Sequence, residues 1–315
     1  MSPRIKASTP ALPRHRGRIF RLRPRIWLGL LCLVCLGFAT HLLWQRTAPI
    51  IAQHPQYLLA AENIEITPSP PWIRSDIKAE VLRDGGLAGT VSLLDPWDEL
   101  SRRVQDAFEF HPWIASVERI RKRPPSSLEV EVKYRRPIAA VEVGDADGVA
   151  FLPIDEHAIR LPERDLSDAQ RRYLPRISGI TDRPLVGDAW DDPRVIGGAK
   201  LAAALTDVWQ QLRLVEILSR IRPDAADEHP SYTYELVTTG GTRIVWGAAP
   251  GQEALAGELP LDQKRRLLQD YAAQHGRLES IDGPARLDVR SDLIVTPRTA
   301  RNKIKNGAGD ATQTK

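Results

Sequence analysis

Apolar positions along this chain fall into three regimes. Residues 26–44 (IWLGLLCLVCLGFATHLLW) form one unbroken apolar run without a formal charge. At ~1.5 Å of rise per residue, a helix over this run matches roughly the ~30 Å hydrocarbon core of a bilayer. Beyond it the pattern is that of a folded body, with short alternating segments and amphipathic stretches. From Pro297 the chain becomes polar, basic and poor in apolar residues, a composition that predicts disorder.

Within the folded body the spacing predicts particular elements. Ile64-Glu65-Ile66 alternates as a strand, and Pro68 to Pro71 punctuates it. Ser75 is placed to cap a helix through Arg83, with Ile77, Val81 and Leu82 on one face and Gly85-Gly86 at its end. A second helix starts with Asp95 at its N-cap, Pro96 in the first turn, and Asp98 and Glu99 near the positive end of the dipole. Trp97, Leu100, Val104, Ala107 and Phe108 follow on one side. Residues 113–121 and 128–134 predict two strands turned by Pro124-Pro125, and the second alternates throughout. The order is β-α-α-β-β, two helices against a small sheet.

The remainder is strand-rich. Residues 138–143 and 149–154 predict a hairpin, 174–180 an apolar strand, and 182–193 a loop rich in Pro and Asp. The apolar positions of 196–219 predict one long helix. Residues 232–237 and 242–246 flank Gly240-Gly241, a hairpin signal. A helix over 261–275 and a final strand over 285–295 complete the pattern.

Charge changes the picture at the N-terminus. The net charge of +4 is a sum of 44 basic and 40 acidic groups. Eight basic residues, Arg4, Lys6, Arg14, Arg16, Arg18, Arg21, Arg23 and Arg25, precede the apolar run with no acid among them. That asymmetry predicts a cytoplasmic N-terminus and an extracytoplasmic body. The 44 less these eight leaves 36 basic groups against 40 acidic, so the body is mildly acidic and offers no broad phosphate-binding surface. A cleaved signal peptide would have a shorter basic region, a shorter core and a small-x-small exit after it, so the pattern favours a retained anchor.

Candidate chemistry is sparse. Both cysteines, Cys32 and Cys35, lie inside the apolar run, which leaves the body without disulfides or thiolate metal sites. There is no G-x-S-x-G, Walker loop, H-E-x-x-H or G-x-G-x-x-G, and the seven histidines are scattered. Asp155-Glu156-His157 could be general acid/base equipment, but a polar turn explains it more simply. Asp191-Asp192 could meet a cation, although no other carboxylates converge on it in the sequence.

Several stretches carry a family resemblance. His111-Pro112-Trp113-Ile114-Ala115-Ser116-Val117 is followed by Arg121-Lys122-Arg123-Pro124, by the alternating residues 128–134, and by Arg135-Arg136-Pro137-Ile138-Ala139. Leu174-Pro175-Arg176-Ile177-Ser178-Gly179 and Leu287-Asp288-Val289-Arg290 come later. In their order and spacing these resemble the FtsQ/DivIB family of bacterial division proteins. Tyr134-Arg135 stands where that family prefers Glu-Arg, and Ser291 where it often has an aromatic.

The resemblance implies an α+β fold. A basic cytoplasmic arm (1–25), one transmembrane helix (26–44) and a stalk (45–61) would precede a β-α-α-β-β POTRA module (62–135). A β-rich domain with flanking helices (136–296) and a disordered tail (297–315) would follow. It implies a bitopic scaffold in the cytoplasmic membrane at the division septum, noncatalytic, with no cofactor, metal, nucleic acid or small-molecule substrate. Its partners would be other membrane-anchored division proteins, notably small bitopic coiled-coil ones. They would add a strand at Asp288, Val289, Arg290, Ser291, Leu293 and Val295. Two rival readings stay open: a POTRA-bearing envelope-assembly or protein-transport factor, and an anchored hydrolase built on Asp155 and His157.

Overall fold

The structure, a computed structural model, describes residues 24–52, 57, 63–87, 92, 94–123, 127–145, 148–222, 231–276, 278, 280 and 282–298. The arm before Pro24, the Pro124-Pro125 turn, and the tail after Arg298 lie outside the described residues. The chain divides into two compact units, Met1–Tyr57 and Leu58–Lys315.

The first unit contains α1 (Pro24–Ala52), a mixed α+β chain's one long apolar helix. Its segment Trp27–Ala48, 22 residues, is long and apolar enough to cross a membrane. Polar side chains in the span satisfy themselves locally: the Thr40 hydroxyl donates to Leu36 O and Gly37 O, and that of Thr47 to Leu43 O. The helix continues past Trp44 into the segment expected to be stalk, because Gln45 and Arg46 are good helix formers.

The second unit opens with β1 (Ile64–Ile66), α2 (Ile77–Asp84), α3 (Trp97–Glu109), β2 (Ile114–Arg123) and β3 (Ser127–Tyr134). The strands lie in the order β1-β3-β2. β1 runs parallel to β3, with Ile64 opposite Leu128, and β2 is antiparallel to β3. Leu100, Val104 and Phe108 of α3 are buried with Ile77 and Val81 of α2 and Leu128 and Val130 of β3. Trp97 leaves the expected apolar face; it is 41% exposed, with Lys122 Nζ 5.5 Å from its ring centre. The caps also differ from expectation. Asp76, not Ser75, accepts the Ala79 N–H at the start of α2. Pro96 takes the N-cap position of α3, while Asp95 accepts from the Ser92 N–H.

The rest builds one eight-stranded sheet from β4 (Ala139–Asp145), β5 (Gly148–Ile154), β6 (Arg176–Ile180), β7 (Leu214–Ile221), β8 (Tyr232–Thr238), β9 (Arg243–Gly247), β10 (Arg286–Asp288) and β11 (Ile294–Thr296). Its order is β11-β10-β9-β8-β7-β6-β4-β5. The helices are α4 (Asp168–Tyr173), α5 (Pro193–Ala204), α6 (Thr206–Trp209) and α7 (Leu261–His275). Trp190, Leu201, Trp209, Ile217, Leu236, Trp246 and Leu268 share its core.

Two expectations are corrected. The helix over 196–219 ends early, and its last third is β7. Arg213 adopts φ +54°, which reverses the chain, and Leu214–Ile221 then pairs with β6 on one side and β8 on the other. Backbone pairing on both sides overrides the helical spacing of the apolar residues. The strand over 285–295 is two short antiparallel strands, since a turn at residues 289–293 folds Ile294–Thr296 back on Arg286–Asp288.

The three-stranded module and the large sheet are joined by a buried carboxylate. Asp165, 2% exposed, accepts from the Trp113 indole N–H (2.6 Å), the Ser75 N–H (2.7 Å) and hydroxyl (3.1 Å), and the Arg74 N–H (3.2 Å). Leu161 and Leu166 on either side of it enter the core of the three-stranded module. Nearby, Arg135 pairs with buried Asp155 at 2.8 Å, and the Trp72 indole donates to Arg135 O. Replacing Asp165 by Ala strands several buried donors and is expected to cost about 2–4 kcal/mol. Urea unfolding of the detergent-solubilised chain checks this, with exposed Asp106→Ala expected to stay within ~0.5 kcal/mol of the parent.

Candidate interaction edge

Among the described residues the two sheets present four strand edges, and three of them are obstructed over at least part of their length. At β1, Lys78 Nζ already occupies the Ile64 carbonyl at 3.2 Å. β2 carries Arg119, Arg121, Lys122 and Arg123 and has two register shifts, both of which discourage strand addition. In β5, Pro153 has no N–H to offer, its carbonyl accepts from the Leu161 N–H, and Ile154 bridges to Arg160. β11 differs. All three of its residues are exposed, Ile294 at 59% and Val295 at 42%, and none is charged. Among the described residues only β10 pairs with it.

The residues before β11 hold that edge in place. Leu287 and Val289 are fully buried, and the Val289 N–H donates to Val245 O in β9. Arg290 grips Asp288 through three side-chain bonds, Nε to Oδ1 at 3.0 Å and to Oδ2 at 3.2 Å and Nη2 to Oδ2 at 2.8 Å, and its own N–H adds a fourth. Burial pushes the Asp288 carboxyl up, but the hydrogen bonds and charge of Arg290 outweigh it and hold the pKa below its ordinary value. Ser291 and Asp292 form an exposed turn, and Leu293 packs in part against the core. Of the six residues implicated by sequence, only Val295 therefore lies on the open edge. Asp288 and Arg290 act as its clamp, and Val289 is core. Ile294, absent from that set, is the more exposed edge residue.

A buried ion pair supports the clamp from behind. Lys264 of α7 has no exposed surface; its Nζ donates to Glu258 Oε2 (2.7 Å) and Trp246 O (2.8 Å) and sits 5.2 Å from the Trp246 ring centre. Glu258 also accepts from the Ala248 N–H, and the adjoining Leu259 N–H donates to Arg290 O at 2.7 Å. Gly247 has φ +97°, and a Cβ there would lie 2.1 Å from Glu258 Oε2, so only glycine fits. The available sequence signal was a lysine at position 264, on the same helical face as Leu261, Leu268 and Tyr271.

The other candidates have structural employment. Asp155 accepts from Arg135 and from the backbone N–H groups of His157 and Ile159, whereas the His157 ring is 70% exposed and lies 3.9 Å from Glu156. Asp192 caps α5 and binds the Arg194 side chain. Among the described residues, no group of three or more His, Cys, Asp or Glu is placed to hold a metal ion. No protein-family model matches this chain, and no curated protein sequence matches it.

The clamp and its support give two expectations. Asp288→Asn should lose about 1–2 kcal/mol at neutral pH. The lowered carboxyl pKa makes that contribution complete above the ordinary carboxylate value of ~3.9 and lost as pH falls through the lowered one. Parent and variant unfolding curves should accordingly converge on acidification. Lys264→Met leaves Glu258 buried without its cation and should cost about 3–5 kcal/mol, with Glu258→Gln added to it recovering part of the loss. Chemical denaturation of the three variants measures both.

Proposed function

We propose that this chain is a noncatalytic, single-pass membrane scaffold of the FtsQ/DivIB type, acting in bacterial cell division through protein–protein contact. The observation that carries the reading is the open, uncharged edge of β11, held by the Asp288–Arg290 clamp. An edge of this kind offers unpaired N–H and C=O groups to a strand from a partner. The partners on this reading are small bitopic coiled-coil division proteins.

Other features support it. The β1-α2-α3-β2-β3 order, with β1 parallel to β3, is compatible with a POTRA module, and the large sheet follows Pro137 directly. The motif residues that resemble the family have fold roles here: Trp113 and Arg135 both belong to the junction between module and sheet. The eight basic residues before the apolar run favour a cytoplasmic N-terminus, with both modules outside. Anchoring would confine the search for partners to two dimensions and raise their effective concentration.

Deleting residues 285–295 would remove Leu287 and Val289 from the core, so substitution on the edge is the cleaner test. Ile294→Lys with Val295→Lys should leave stability within ~0.5 kcal/mol, because both side chains are exposed. Recovery of the coiled-coil partners from membranes should fall by about tenfold, since lysines on an edge oppose strand addition. Undiminished recovery sinks the edge reading. A fluorescent fusion to the full chain should form a midcell band; a uniform envelope signal counts against a role in division.

A further inference from the structure

A second surface lies where the three-stranded module meets the large sheet, and it has a different chemistry from the β11 edge. A cleft of about 770 Å³ opens between the C-terminal ends of α2 and α3 on one side and residues 185–188 on the other. Three large apolar side chains stand in it unburied: Phe110 at 82%, Leu185 at 75% and Val186 at 42% exposure. Scattered exposed apolar residues are ordinary, but three around one cleft are not.

The cleft is rigidly made. A Cβ on Gly85 would lie 2.7 Å from the Ala107 Cβ, so the ends of α2 and α3 are in direct contact. The opposite wall is pinned by Arg160, whose Nη1 donates to Pro184 O at 2.6 Å, while the Gly187 N–H donates to Arg160 O. Gly187 would place a Cβ 3.4 Å from the Pro112 ring. Leu185 and Val186 are thus displayed on a fixed turn.

Its lining carries an excess of acid. Glu80, Asp84, Glu109, Glu163 and Asp188 line the cleft against Arg160, Arg164 and His111. The basic groups are already engaged, Arg160 with Glu163, and Arg164 and His111 with Glu80, while Asp84 pairs with Arg83 beside the cleft. Glu109 and Asp188 have no ion pair among the described residues; Glu109 Oε1 accepts only neutral donors, the Gln105 amide and the Val117 N–H, and α3 has no basic residue in its last turn. Two helix C-termini converge on the same space and add partial negative charge to it.

We propose that this cleft docks a short basic–apolar segment of a partner protein, one bringing large aliphatic or aromatic side chains flanked by lysine or arginine. The apolar groups cover Phe110, Leu185 and Val186, and the cations meet Glu109, Asp188 and the helix ends. The cleft is separate in chemistry from the β11 edge and takes a side-chain-anchored segment in place of an added strand.

The test uses the full chain in nanodiscs of zwitterionic lipid and a fluorescent synthetic peptide of Lys-Leu-Phe-Lys repeats, with a Glu-for-Lys counterpart. Binding of the basic peptide should weaken about tenfold in Phe110→Ser with Leu185→Ser, and again in Glu109→Gln with Asp188→Asn. It should be unchanged in Ile294→Lys with Val295→Lys. Equal affinity across parent and cleft variants overturns the proposal, as does equal binding of the acidic peptide or loss of binding in the β11 variant. Tighter binding after removal of residues 299–315 would assign the cleft to the chain's own tail, and Phe110-dependent self-association would assign it to a second copy; either outcome also overturns it.

Discussion

Asp165 is the constraint on which the arrangement of the second unit depends. A carboxylate at 2% exposure is tolerable only because four donors converge on it, and all four come from the other module. The bonds require the chain before α2, the start of β2 and the short turn at residues 163–165 to meet at one point. With Leu161 and Leu166 seated in the core of the three-stranded module, the junction is apolar as well as polar. The modules are therefore not beads on a linker. The cleft beside the junction inherits its shape from this contact, since its walls belong to different modules.

The sequence made the elements legible where a local pattern decides them. The alternation of residues 128–134 and the amphipathic spacing of residues 261–275 both specify structure without help from distant residues. It misled where tertiary pairing decides. Leu212, Val215 and their neighbours have helical spacing, yet Leu214–Ile221 occupies a central place in a sheet, where pairing on both sides is worth more than propensity. The terminal strand failed for a related reason. Val289 and Val295 read as one alternating run until Arg290 closes on Asp288 and reverses the chain.

The exposed terminal strand was legible only in outline. The resemblance pointed to residues 288–295, and burial divides that stretch into a clamp, a core residue and an exposed edge. Nothing local says that Val289 faces the core or that Ile294 does not. The buried Lys264 is harder still, because its meaning depends on Glu258, Trp246 and a glycine at 247 that has no room for a side chain. A buried charge is costly unless every partner is present. Its link to the terminal hairpin runs through the chain beside Glu258, where the Leu259 N–H holds Arg290 O.

The topology of that edge also sets the order in which it can exist. β10 joins β9 in parallel, a pairing that a tight turn cannot make and that here waits for α7 to cross over. Among the described residues β11 then pairs only with β10. Contacts closed over long loops form late, because their entropy must be met before any pairing compensates it. The parallel β9–β10 pairing is thus the costly step, and the short β10–β11 hairpin rides on it. Among the described residues, that one parallel pairing carries both terminal strands into the sheet.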